Sequence, residues 1–91
     1  MSTQEQILEA TAVETAVGNA HEIVLYNDDV NTFDHVIETL MRVCEHTAEQ
    51  AEQCALLVHY KGKCTVKTGE LAELVPQCSA LLEAGLSAEL T

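Results

Sequence analysis

The chain is predicted to fold as a small α+β sandwich, a short antiparallel three-stranded sheet covered by three helices in the order β-α-α-β-α-β. Three observations carry this. Two short runs, HEIVLY and KCTVKT, are β-branched or alternating and are bounded by turn residues, as strands are. Between and after them, apolar residues recur at helical spacing behind recognisable cap residues. With 91 residues, one Pro, four Gly and 47% hydrophobic residues but no Trp, the chain suits one domain with an aliphatic core.

The segment from Met1 to about Ala20 is rich in Glu, Thr and Ala, and its apolar residues (Ile7, Leu8, Val13, Val17) are too sparse to close a core. It is expected to be a mobile extension or a marginal helix ending at Gly18, ahead of a core domain over residues 21–91. His21 to Tyr26 is the first strand. After a polar turn, Asn31 or Thr32 is placed to cap a helix through Phe33, Val36, Ile37, Leu40, Val43 and Cys44, with Asp34 in its first turn complementing the helix dipole. Thr47 followed by Gln50 reads as a capping box that opens a second helix, which ends in a basic turn at Lys61 and a glycine at Gly62. Lys63 to Thr68 is the second strand. Glu70 to about Ala84 is the third helix, with Pro76 expected to kink or restart it, and Leu86 to Leu90 is a final edge strand.

Composition excludes several function classes. A formal net charge of −11 repels a phosphate backbone, so no nucleic-acid partner is expected and cationic groups are favoured instead. The first residues carry neither a basic nor an apolar signal-peptide region, and no apolar stretch approaches the roughly 20 residues that span a bilayer, so the expected location is cytoplasmic, with no membrane association. Cys44, Cys54, Cys64 and Cys78 show no C-x-x-C spacing; they are read as reduced thiols, not as a zinc or redox site. No nucleophile and base pair up, so no catalysis is expected and no cofactor is called for.

The informative stretch is LYNDDVN, where an apolar strand breaks into Asn27, Asp28, Asp29 and Asn31. Read from Asn27, NDDVNTFDHVIE places oxygen-bearing side chains at positions 1, 3 and 5 and Glu38 at position 12, which approximates a calcium loop. Thr32 stands where that loop needs glycine, Asp34 stands where it needs an apolar residue, and a strand precedes it. An Asx-type turn feeding an N-cap accounts for one or two of the four polar residues. An organic ammonium, a compact charge with several N–H donors, accounts for the crowded acids better. An α-amino group is such a cation, and it always has a side chain beside it. His59, late on the second helix in ALLVHYKG, is a candidate second wall or else a packed core histidine.

Together, LYNDDVNTFDHVIETL and AEQAEQCALLVHYKGKC resemble the ClpS adaptor family, over about residues 21–67 with specific motifs and more loosely to Leu90. The resemblance implies an adaptor that binds proteins beginning with Leu, Phe, Tyr or Trp (N-degrons) and delivers them to a Clp-type AAA+ unfoldase, ClpA- or ClpC-like. A domain of the same kind serving another effector is the alternative, beside the calcium module. By the same resemblance, Asn27, Asp29 and His59 meet the α-amino group, with Asp28 supporting the loop. Asn31 meets the first peptide group. Leu25, Phe33, Val36, Ala55, Val58 and Leu86 line the side-chain pocket, and Glu70 belongs to the unfoldase-docking surface. Ala55 and Phe33 stand where the family usually has methionine, which implies a wider pocket and a shifted selectivity. Val75 stands where a docking lysine is common.

Overall fold

The strand His21–Tyr26 (β1) is the middle of the sheet, and its position follows from its sequence: Ile23 and Leu25 alternate onto one face and are fully buried, as a strand covered on one side requires. A computed structural model describes residues 21–91; the expected N-terminal extension, residues 1–20, lies outside the described residues. Around β1 the sheet runs in the order β2-β1-β3, all antiparallel, with β2 at Lys63–Gly69 and β3 at Ser87–Leu90. The helices are α1 at Phe33–Val43, α2 at Ala48–Lys61 and α3 at Leu71–Glu83. The order β-α-α-β-α-β is the one expected.

Caps define the helix ends. Thr32, not Asn31, caps α1: its hydroxyl accepts from the His35 N–H at 3.1 Å. Both halves of the α2 capping box form, the Gln50 N–H donating to Thr47 Oγ1 at 3.1 Å and the Thr47 N–H donating to Gln50 Oε1 at 2.9 Å. Gly62 ends α2 at φ 93°, a left-handed turn that favours glycine. The third helix runs unbroken through Pro76, which sits exposed on its outer side, so the expected restart does not occur.

At the end of α3 a Schellman motif forms: the Gly85 N–H donates to Leu82 O at 3.0 Å and the Leu86 N–H to Leu81 O at 3.1 Å. The apolar partners of that motif, Leu81 and Leu86, are both buried. One departure from simple alternation occurs in β2. The register slips between Ile23, opposite Lys67, and Val24, opposite Thr65, so Val66 is an extra residue whose side chain turns into the core. His46 meets the freed Val66 carbonyl through Nε2 at 2.7 Å, and Lys67 donates to Cys44 O at 3.2 Å, covering the end of α1. The core joins Ile23 and Leu25 from β1, Leu40 from α1, and Leu74 and Leu81 from α3, and α2 adds Ala51 and Val58.

Candidate functional site

The end of β1 is tied to the end of α2. The Asn27 N–H donates to Gly62 O at 3.0 Å, and Gly62 in turn donates to Val58 O at 3.0 Å. The left-handed glycine lets the chain leave α2 with its carbonyl turned towards β1, so the last turn of α2, with His59, stands beside the polar loop that follows Tyr26. Two segments far apart in the chain thereby meet.

Asp28 gives the loop its shape. Its Oδ1 accepts from the Val30 and Asn31 N–H groups, both at 3.0 Å, and its Oδ2 accepts from Ser87 Oγ at 3.1 Å. The Asn31 amide nitrogen donates to both carboxylate oxygens, at 3.1 and 2.9 Å, and to Gly85 O at 2.9 Å. A single acid thus joins the loop to the α3–β3 turn. Burial alone pushes this carboxyl up, but the backbone N–H groups of Asn31 and Val30 and the side-chain donors of Asn31 and Ser87 outweigh it. The Asp28 carboxyl therefore titrates below its ordinary value.

Two of the four polar residues are therefore structural, the upper end of what an Asx-type turn was expected to employ. With Asp28 solvated by its own donors, the crowding of adjacent acids inferred from the sequence is relieved inside the loop. Asn31 keeps only its carbonyl oxygen for any ligand. Asn27 and Asp29 differ: neither side chain has a hydrogen-bond partner among the described residues, and Asn27 is exposed.

These side chains open onto a cavity of about 350 Å³. Asn27, Asp28, Asp29, Asn31 and His59 form its polar side; Phe33, Val36, Ala55 and Val58 form its apolar side. Thr32 also lines it, a residue expected from the sequence only to cap a helix; its place beside the loop was the available signal. No Lys or Arg lines the cavity, so its charge is acidic. Ala55 and Val58 are buried, about one helical turn apart on the inner face of α2, and Phe33 at the start of α1 is half exposed. His59 is exposed, which removes the packed-core reading of this residue. Its ring lies against Phe33 with centroids 5.3 Å apart and planes at 55°, and against Tyr60 at 4.8 Å and 81°.

Two expected pocket residues lie elsewhere. Leu25 is an inward residue of the central strand and Leu86 is the apolar closure of the Schellman motif; both are buried in the core cluster and neither lines the cavity. Both form the packed layer that also holds Val58. Glu70 sits at the N-cap of α3, exposed and without a side-chain capping bond, and does not line the cavity either.

The calcium alternative does not fit this geometry. Helix α1 starts at Phe33, the seventh of the twelve residues, so the positions that should still curl around an ion are already helical. Asn31 at position 5 points its amide at Asp28 and Gly85, and among the described residues no three His, Cys, Asp or Glu side chains converge as a metal group would need. Nor is any helix among the described residues long and apolar enough to cross a membrane.

A family model described as ATP-dependent Clp protease adaptor protein ClpS matches residues 17–89. The chain belongs to the ClpS family. Among its relatives, the ClpS adapter protein of Campylobacter jejuni strain 81-176 is 41% identical over 54 residues, 57% of this chain and 56% of that protein. That of Thermosynechococcus vestitus is 39% identical over 70 residues, 74% of this chain and 72% of that one. The match thus spans little more than half the length of the Campylobacter relative. A solved structure, Agrobacterium tumefaciens ClpS2 bound to L-phenylalaninamide, shares the fold with a TM-score of 0.73 at 20% identity, covering 82% of this chain and 98% of that one. The ClpS match includes every element that builds the cavity, from β1 through the α3–β3 turn.

Proposed function

We propose that this ClpS-family chain is a non-enzymatic, cytoplasmic adaptor. Its cavity binds the free α-amino group and first side chain of proteins that begin with a bulky apolar residue, and the chain delivers them to a Clp-type AAA+ unfoldase. Asn27, Asp29 and His59 receive the ammonium, Asn31 offers its carbonyl oxygen to the first peptide N–H, and Phe33, Val36, Ala55 and Val58 enclose the side chain. Glu70 belongs to the unfoldase contact.

The observation that carries the reading is the meeting, in one cavity, of polar side chains with unused hydrogen-bonding capacity and an apolar wall. An α-amine with an apolar side chain next to it is the ligand that uses both at once. The ligand in the Agrobacterium ClpS2 structure, phenylalaninamide, has that chemistry. His59 can accept a hydrogen bond from the ammonium through the ring nitrogen that carries no proton.

Burying one Leu or Phe side chain contributes about 1.5 to 3 kcal/mol, and each charge-assisted hydrogen bond about as much again. Set against an association cost of at least about 4 kcal/mol, three polar contacts and one buried side chain leave about −2 to −8 kcal/mol, micromolar at the favourable end. Acetylating the amine removes its charge and two of its donors, leaving the acceptors of the cavity unmatched. Fluorescence anisotropy with a Leu-starting peptide, free and N-acetylated, tests this. At least tenfold tighter binding of the free peptide, lost in Asp29→Ala, is expected; equal binding of both peptides refutes the reading.

A further inference from the structure

The amine site contains one ring whose orientation is unexplained by hydrogen bonding. Neither nitrogen of His59 has a partner among the described residues, and the side chain is exposed at the end of α2. The other histidines are held differently: His21 by Thr91 O at 3.1 Å, His35 by Ala84 O at 2.8 Å and His46 by Val66 O at 2.7 Å. An exposed imidazole without such a tether samples several rotamers unless packing stops it. Here two rings do the packing. Tyr60, the neighbour in sequence, is itself 75% exposed and makes an edge contact, and so is a weak support. Phe33 comes from another helix, is 42% exposed, and meets His59 at a tilt of 55° across the mouth of the cavity.

We propose that Phe33 is a positioning residue: its ring fixes the imidazole of His59 so that a ring nitrogen faces the bound ammonium, a role separate from its own contact with the ligand side chain. This rests on the amine-binding reading above. Both residues are anchored by rigid ends, Phe33 at the first position of a capped helix and His59 in the last turn of another, just before its C-terminal glycine. The tilted arrangement and the 5.3 Å separation lie within the favourable range for aromatic pairs. Because the contact bridges α1 and α2, it links the apolar rim to the amine acceptor, and removing it weakens recognition of the amine without touching any group that binds it.

The full chain is compared as wild type, Phe33→Leu and Phe33→Tyr in two measurements. Proton NMR without peptide reads the ring resonances of His59. Anisotropy reads the affinity ratio between free and N-acetylated Leu-starting peptide. In Phe33→Leu, the His59 ring protons lose the aromatic ring-current shift and the ratio falls by about 2- to 13-fold, the worth of one aromatic pair; Phe33→Tyr keeps both. In a His59→Ala background, Phe33→Leu no longer changes the ratio. Unmoved His59 resonances in Phe33→Leu overturn the proposal, as does an unchanged ratio in that variant when the wild type distinguishes the two peptides. A wild type that binds both peptides equally refutes the amine-binding reading instead, and the His59 resonances then decide the positioning claim alone. If Phe33→Leu fails to fold, Phe33→Met supplies the non-aromatic comparison.

Discussion

Replacing Asp28 by Ala removes the acceptor for two backbone N–H groups, the Asn31 amide and the Ser87 hydroxyl in one step. Val30 N–H is exposed and can turn to water, so its loss costs little. The bonds from Asn31 and Ser87 are part-buried, and these set the magnitude. Loss of one helix-cap or turn bond costs about 0.5 to 2 kcal/mol. With two or three such bonds lost together and partial rehydration, the change is about 2 kcal/mol, at the lower end of their sum. For a domain of this size that lowers Tm by roughly 8 to 16 °C. Peptide affinity falls too, since the loop carrying Asn27 and Asp29 loses its tie to the α3–β3 turn.

The pH dependence has a definite sign. The folded Asp28 carboxyl titrates below its ordinary 3.8. Its contribution is therefore complete above that value and is lost as pH falls through the folded one, because the unfolded chain then binds the proton more readily. Thermal melts followed by circular dichroism check both points. Wild type and Asp28→Ala should differ most at about pH 7, and the difference should shrink progressively as pH falls below the ordinary carboxyl value of 3.8. Equal Tm at neutral pH, or a difference that persists undiminished in acid, would falsify the role of Asp28 as the loop's central acceptor.

Three further outcomes are expected. Ala55→Met puts a long side chain at a buried cavity wall and should weaken Trp- and Phe-starting peptides by about 1 to 3 kcal/mol, the usual cost of overfilling, and Val-starting ones less; competition anisotropy reads the ranking, and an unchanged ranking removes Ala55 from the pocket. Gly62→Ala meets no neighbouring atom but keeps φ at 93°, so it should cost about 1 to 2 kcal/mol in denaturant melts purely through backbone strain; a neutral substitution contradicts that. The Cys54 thiol is pushed up to about 12 by burial first, then by the neighbouring Cys64 and Cys44, so near pH 8 iodoacetamide should alkylate it far more slowly than a free cysteine peptide; mass spectrometry showing equal rates sinks this.

Much of the fold was legible because the decisive signals are local. The capping box at Thr47 and Gln50, the glycines at 62 and 85, and the inward pair Ile23 and Leu25 each act within a few residues, and element boundaries followed to within about two residues. The choice of Thr32 over Asn31 as cap was not legible, because Asn31 is diverted by Asp28 and by Gly85, 54 residues away. The bulge at Val66 was hidden for a similar reason: KCTVKT alternates well enough by itself, and only the register against β1, with His46 taking the spare carbonyl, marks the extra residue.

The candidate site divides along the same line. Asn27, Asp29 and His59 stand out as residue types in a pattern, and the family follows from their motifs. Which of the polar residues hold the loop and which keep unused hydrogen-bonding capacity depends on a serine 59 positions from Asp28, and the exclusion of Leu25 and Leu86 from the cavity on how a strand and a Schellman turn pack. Amino-acid order determines caps, turns and periodicity because these depend on neighbours along the chain. The destination of each polar side chain depends on partners brought near only by folding, above all the bond from Asn27 to Gly62 that sets an imidazole beside an acidic bend.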